Sequence, residues 1–216
     1  MHHLKRKTPV AFLIMIVIIL TSCTQKSPTH YFKNASAKFS LKDYKGAITD
    51  INQALKLKND YAEAYYVRAI CYGELGNIDK AATDFNKVLS LDPNFKDAYV
   101  NRAFYVKEPQ KDYEGALADY NKFIEINRAG NNAFAYSNRG FVKYNLGNYS
   151  EALDDINASL KIDPENSYAY KNMALIYIAM DSLDVACSNL SKALDLGYTA
   201  KFDDTVQRLI FEYCEQ

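Results

Sequence analysis

The chain has no tryptophan, only five prolines and only eight glycines in 216 residues. Glycine and proline are the residues a helix interior tolerates least, so their scarcity leaves long stretches free to be helical. Histidine is equally scarce: of three, two stand at positions 2 and 3, which leaves His30 for the rest of the chain. A serine–histidine triad or a histidine-based metal site needs more than that. No glycine-rich phosphate loop is present, because the glycines are scattered singly. Charge of one sign is also missing, with 26 basic against 26 acidic residues and no basic stripe, so nothing favours nucleic acid. Carboxylates are numerous enough for a hydrolase by count, yet they recur at repeated helical positions, most of which face solvent. We therefore expect no enzymatic activity, no cofactor and no metal.

The one long apolar run, Val10 to Leu20, is eleven residues. That is too short to span about 30 Å of hydrocarbon as a helix. It follows Lys5, Arg6 and Lys7 and precedes Thr21-Ser22-Cys23, which is the layout of a secretory signal with basic, apolar and cleavage regions. Leu20-Thr21-Ser22-Cys23 resembles the lipobox of bacterial lipoproteins. The resemblance implies a signal peptide at 1–22, acylation of Cys23, and a tether at 23–27. Each buried methylene contributes about 0.8 kcal/mol, so several acyl chains make release from a bilayer negligible. Removal of 1–22 leaves 23 basic and 26 acidic residues. The tether after Cys23 reaches less than roughly 20 Å, which keeps the rest of the chain near the membrane.

The remaining chain repeats. Ala47, Ala81, Ala116, Ala152 and Ala186 are separated by 34, 35, 36 and 34 residues. A tyrosine stands 16 residues earlier in four copies (Tyr31, Tyr65, Tyr136, Tyr170) and 17 earlier in one (Tyr99). A large apolar side chain follows each alanine by four: Ile51, Phe85, Tyr120, Ile156 and Leu190. Three further on come Ala54, Val88, Phe123, Ser159 and Ala193. Residues three and four apart share one helical face, so this pattern predicts paired amphipathic helices.

These residues resemble the tetratricopeptide repeat, a helix–turn–helix unit. The clearest copies are 133–166 (Tyr136, Gly140, Gly147, Tyr149, Ala152, Ile156, Pro164) and 62–95 (Tyr65, Ala69, Tyr72, Gly76, Ala81, Phe85, Pro93). The resemblance implies an all-α, right-handed α-solenoid of about five helix pairs over 28–196. The repeats are expected near 28–61, 62–95, 96–130, 133–166 and 167–198. A capping helix is expected over 197–216, with Phe202, Val206, Leu209, Ile210 and Tyr213 in its stripe. The third repeat carries one extra residue, placed in its inner turn near Pro109, and two more precede the fourth near Gly130. The first repeat is the poorest match, with Asn34 and Lys38 where apolar or small residues are usual.

Two further patterns carry chemistry. Arg68, Arg102 and Arg139 share one position of the first helices, and Asp50, Asp84, Asp119 and Asp155 one position of the second. In the last repeat both change, to Met173 and Asn189. Ion pairs within each repeat leave Asp50 without its arginine; pairs with the next repeat leave Asp155 without one. The sequence leaves both registers open. Cys187 and Cys214 fit either a bridge or two separate buried thiols. An oxidising envelope permits the bridge, and the ending resembles the last repeat of envelope tetratricopeptide proteins from Bacteroidetes-type bacteria. Cys71 reads as a small buried hydrophobe.

Members of this family bind ligands on the groove made by their first helices. The matching positions here carry Phe32, Tyr66, Ile70, Val100, Phe104, Phe134, Phe141, Tyr144, Tyr168, Leu175 and Ile178. Between them Asn101, Asn138 and Asn172 form a column, expected to pair with the backbone of an extended peptide. The lysine-rich carboxylate clamp of chaperone-binding members is absent, which points to apolar ligand segments. The expectation is a lipid-anchored adaptor that recruits protein partners in the cell envelope. Thr24 after the lipidated cysteine resembles an outer-membrane sorting pattern, facing the periplasm, with surface display also open. The alternatives are a dedicated assembly factor for a pilus, secretion or outer-membrane machine, a regulator of an envelope hydrolase, and a glycan-binding surface protein.

Overall fold

The computed structural model describes residues 26–201 and 203–215. The signal region, Cys23 and Phe202 lie outside the described residues. Among the described residues every regular element is helical, and no helix is long and apolar enough to cross a membrane. The chain divides into two units. The first runs to Tyr61 and holds α1 (Pro28–Ser40) and α2 (Tyr44–Leu57). The second holds α3 (Ala62–Glu74), α4 (Ile78–Leu91), α5 (Lys96–Arg102), α6 (Tyr113–Ile126), α7 (Ala133–Asn145), α8 (Tyr149–Ile162), α9 (Ser167–Ala179), α10 (Leu183–Asp195), α11 (Tyr198–Lys201) and α12 (Thr205–Tyr213). A π-helical turn, Ala103–Lys107, continues α5.

One turn, used five times, joins the helices into pairs. Each first helix ends on a left-handed residue: Lys42, Gly76, Lys111, Gly147 or Asp181, with φ of 60, 70, 56, 80 and 58°. The amide of the following residue (Asp43, Asn77, Asp112, Asn148, Ser182) donates five residues back to the helix, at 2.8–2.9 Å in every copy. This is the hydrogen-bond signature of the Schellman motif. The same residue then stands at the N-cap of the second helix. Glycine takes the left-handed conformation freely, whereas a residue with a Cβ gives up about 1 kcal/mol there. The three copies with lysine or aspartate have kept the turn against that cost.

The periodic alanines mark where the two helices of a pair cross. Ala47, Ala81, Ala116, Ala152 and Ala186 have no exposed surface, and neither do Ile51, Phe85, Tyr120, Ile156 and Leu190. The facing position of the first helix is also small: Ala35, Ala69, Ala103, Gly140 and Ala174. At Gly140 even a Cβ would lie 2.8 Å from Ile156 Cδ1 and 3.0 Å from the Ala152 carbonyl oxygen. In the second unit each second helix also packs on the next first helix (α4 on α5, α6 on α7, α8 on α9). Burying these faces supplies the stability that short helices lack alone.

Two expectations need correction. The extra residue of the third repeat is not in the turn near Pro109. It lies inside the first helix, where the backbone accommodates it as the π turn at 103–107. A single inserted residue widens one helical turn to i→i+5 bonding at less cost than unwinding a helix end. The C-terminal stretch is not one helix. It breaks between α11 and α12, where Asp203 Oδ1 accepts from the Thr205 amide at 2.8 Å. Val206 of its predicted stripe is fully buried, and Leu209 and Ile210 are half-buried.

The arginine–aspartate pairs form within each repeat. Arg68 grips Asp84 through Nε and Nη2 at 2.7 and 2.8 Å. Arg102 does the same to Asp119 at 2.8 and 2.6 Å, and Arg139 to Asp155 at 2.7 and 2.6 Å. The remaining Nη1 reaches back to the previous repeat, from Arg102 to Asn86 and from Arg139 to Asn121, each at 2.7 Å. Asp50 is served instead by Lys38 at 2.8 Å, one turn along its first helix. Lys38, the misfit of the first repeat, is thus the cation that replaces the missing arginine. The aspartates are 4–6% exposed, so loss of an arginine leaves a carboxylate with little water to take its place. Arg102→Met is expected to lower stability by about 3 kcal/mol in urea melts, and Arg102→Met with Asp119→Leu to restore most of it. A single variant that melts with the wild type would remove the buried-pair account.

Candidate functional site

The first helices of the second unit (α3, α5 with its π turn, α7 and α9) carry the predicted groove residues other than Phe32. The structure sorts these into open and spent. Phe134 is 50% exposed and Phe104 is 36% exposed. Their ring centres lie 5.6 Å apart at 61°. Phe104 also meets Tyr105 edge-on at 5.0 Å. The two rings touch, on helices of adjacent repeats, and each keeps a large part of its surface in water. Phe141 and Tyr144 are half-buried neighbours at 6.4 Å. Ile70, Leu175 and Ile178 are half-buried as well.

Others are committed to the fold. Val100 is 7% exposed and belongs to the core. Tyr66 packs on Phe95, with ring centres 4.9 Å apart, and its hydroxyl accepts from Asn101 Nδ2 at 2.8 Å. Burial first, and the Asp97 charge second, push the Tyr66 phenol up to about 12. Tyr168 stacks on Tyr198 at 6.4 Å and 11°. Phe32 lies in the other unit, half-buried against Tyr61 with ring centres 5.0 Å apart.

The asparagine column is the clearest correction. Asn138 and Asn172 are 0 and 1% exposed. Asn138 Nδ2 donates to the Phe134 carbonyl of its own helix at 3.0 Å, and Asn172 Nδ2 to the Ser137 carbonyl of the previous repeat at 3.4 Å. Asn101 likewise reaches back to Tyr66 of the previous repeat and to the Asp97 carbonyl at 2.8 Å. At two of the three positions the amide is a strut between consecutive first helices. With Asn138 and Asn172 covered and Asn101 engaged by Tyr66 and Asp97, the three do not make one open row for a peptide backbone.

Charged groups that the sequence reading missed stand in the same region. Lys171 is 6% exposed, with its ammonium 4.2 Å from the centre of the Tyr168 ring and 5.1 Å from that of Phe141. It falls one residue after the repeat tyrosine, where earlier copies carry Tyr66, Val100 and Ser137; a lone charge in that column was the available signal. Glu108 follows the π turn and accepts a hydrogen bond from the buried Tyr120 hydroxyl. Counting past the extra residue, it takes the place of Tyr144 and Ile178, which the uncorrected register concealed. Burial pulls the Lys171 ammonium down to about 8, opposed by the charges of Asp203 and Glu108. Burial pushes the Glu108 carboxyl up to about 7, opposed by the Tyr120 hydrogen bond and the Lys171 charge.

Among the described residues no group of three or more histidine, cysteine, aspartate or glutamate side chains could hold a metal ion. Cys187 and Cys214 form a disulfide with Cα atoms 5.8 Å apart. Cys71 is free and buried, and burial pushes its thiol up to about 12.

Comparison with known proteins agrees with this architecture. The tetratricopeptide repeat family matches residues 62–95 and 133–166, and a TPR repeat family matches 35–76. The chain contains tetratricopeptide repeats, and its helical fold is that of a tetratricopeptide α-solenoid. It is 36% identical over 91 residues to heat shock protein STI1 of Saccharomyces cerevisiae, covering 42% of this chain and 15% of that one. It is 35% identical over 77 residues to photosystem I assembly protein Ycf3 of Prochlorococcus marinus, covering 34% and 44%. The chain thus spans less than half the length of these curated relatives. Among solved structures it resembles YrrB, described as a TPR protein with an unusual peptide-binding site, with a TM-score of 0.66 and 22% identity over 84% of this chain and 90% of that one. At that identity the likeness shows the fold alone.

The two perturbed charges give a pH signature. A carboxyl held above its usual 4.5 binds its proton more tightly in the folded chain, so Glu108 contributes stability at acid pH that is lost as pH rises from 4.5 through about 7. Lys171 acts in a different window, between about 8 and 10.5, where the folded chain gives up its proton first. Of the two, it is Glu108 that acts between pH 5 and 7. Glu108→Gln, which keeps an acceptor for Tyr120, is expected to raise the melting temperature at pH 8 and leave it nearly unchanged at pH 5. A wild-type and variant pair with parallel profiles would contradict the burial of this carboxyl.

Proposed function

We propose that this protein is a non-catalytic adaptor, tethered to an envelope membrane by acylation at Cys23, that binds apolar segments of protein partners on the groove of its first helices. The observation that carries the reading is the Phe104–Phe134 pair. Two large rings on adjacent repeats stay 36 and 50% exposed, side by side, where each could hold an apolar side chain of an extended or helical segment. The basic, apolar and Leu-Thr-Ser-Cys order of residues 5–23 supports the tether. The similarity to STI1 and Ycf3, and the peptide-binding site in the description of YrrB, support protein or peptide ligands. The word assembly in the name of Ycf3 favours, as the second form of this reading, a factor with one obligate partner in an envelope machine. On this reading the protein works in the cell envelope, at the outer membrane facing the periplasm, as the Leu-Thr-Ser-Cys-Thr order of residues 20–24 suggests.

Crosslinking in intact cells, followed by mass spectrometry of the captured species, tests this. Wild type is expected to recover one or more envelope proteins through crosslinks near residues 104 and 134. Phe104→Asp with Phe134→Asp is expected to reduce recovery at least tenfold, the scale of losing two buried aromatic contacts, while circular dichroism stays that of a folded helical protein. Equal recovery from the variant would move the binding surface elsewhere, and a mature N-terminus without acyl groups would remove the tether.

A further inference from the structure

The disulfide joins Cys187, in the second helix of the last repeat, to Cys214, the residue after α12. The helices α11 and α12, which follow Gly197, are held at their far end by that bond. The enclosed helices are short, four and nine residues, and helices of fewer than about 12 residues are marginal on their own. In α12 only Val206 is fully buried, while Phe211 is 75% exposed. This weakly held segment nonetheless reaches the groove-side residues of α9. Tyr198, 2% exposed, stacks on Tyr168, and both pack in one cluster with Ala174, Leu190 and Val206. The Tyr168 ring in turn carries the Lys171 ammonium at 4.2 Å. Asp203, in the same segment, acts on Lys171 by charge.

We propose that the Cys187–Cys214 bond is a latch on the end of the groove. Closed, it keeps α11 and α12 docked so that Tyr198 covers Tyr168 and Lys171 stays buried. Opened, it frees the segment and uncovers both side chains to a partner. Opening is a thiol–disulfide exchange: a dithiol reductant supplies two electrons and two protons, the S–S bond is replaced by two thiols, and the dithiol becomes a disulfide. Both cysteines are half-buried, within reach of a small thiol. The inference rests on the groove being the binding surface, but its test does not use a partner, so the two can fail separately.

The test compares the full chain, oxidised, with the same chain reduced by dithiothreitol and desalted. Each is treated with a limiting N-hydroxysuccinimide ester, and acylation of Lys171 is followed by peptide mass spectrometry. Buried Cys71, probed with a maleimide, reports whether the repeats stay folded. The latch predicts acylation of Lys171 at least about tenfold faster after reduction, with Cys71 still protected. Cys187→Ser with Cys214→Ser should reproduce the reduced chain, and Tyr198→Ala should accelerate Lys171 with the disulfide intact. An unchanged Lys171 rate would overturn the proposal. So would a rise in Lys171 and Cys71 together, because the bond would then hold the whole stack and not a lid.

Discussion

Two helices can cross closely only where neither carries a bulky side chain at the crossing, and the repeat is built around that constraint. At Gly140 a single added carbon would lie 2.8 Å from Ile156 Cδ1 and 3.0 Å from the Ala152 carbonyl oxygen. The alanine period in the sequence is the imprint of this contact. Once the backbones are that near, the residue four along must fill the wedge that opens beside the crossing, and Ile51, Phe85, Tyr120, Ile156 and Leu190 do so without exposed surface. A pair fixed at this distance and angle presents its first helix to one side. The proposed groove would follow from the crossing as much as from the residues that line it.

Apolar contacts of this kind are non-directional, and the arginines supply direction. Each guanidinium has a planar fork for its own aspartate and a spare donor for the previous repeat. Arg102 and Arg139 use all of these, so register within a repeat and register between repeats are read by one side chain. The ends of the series follow the same electrostatics. In the first repeat Lys38 supplies the positive charge from one turn away. In the last, arginine and aspartate vanish together: Met173 is buried, and Asn189 turns its amide onto the Val185 carbonyl of its own helix at 2.8 Å. Losing both partners leaves no orphan charge, which is the form of change a buried pair tolerates.

What the sequence made legible was whatever recurs. The crossing alanines, the wedge residues and the arginine–aspartate positions could be named before any coordinates. Their shared helical faces follow from helical period alone. The register of the ion pairs could not be settled, since it depends on which carboxylate lies nearer across a packed interface. The asparagine column misled for a related reason. Recurrence of a residue type marks a shared position, but here two of the three amides are buried and two are struts to the previous repeat, so the column is not an open surface. Lys171 showed only as a lone charge in its column, Glu108 was hidden by the shifted register, and the break before α12 occurs once, so a pattern argument had nothing to compare it with.

The most consequential of these single events is the extra residue in the third repeat. Between Ala103 and Val106, both buried, other repeats have one residue of groove-side character (Ile70, Phe141 or Leu175), whereas here Phe104 and Tyr105 stand together. The π turn makes room for both. Tyr105 lies over Gly73, so close that a Cβ on that glycine would sit 2.5 Å from the Tyr105 ring, and its hydroxyl donates to Glu74. With Tyr105 accommodated there, Phe104 is left beside Phe134, open to water. A regular helix would hold only one of the two aromatics at the groove wall. The irregularity therefore creates the exposed ring pair, in keeping with the tendency of such turns to occur where a helix has been altered for use and not for packing.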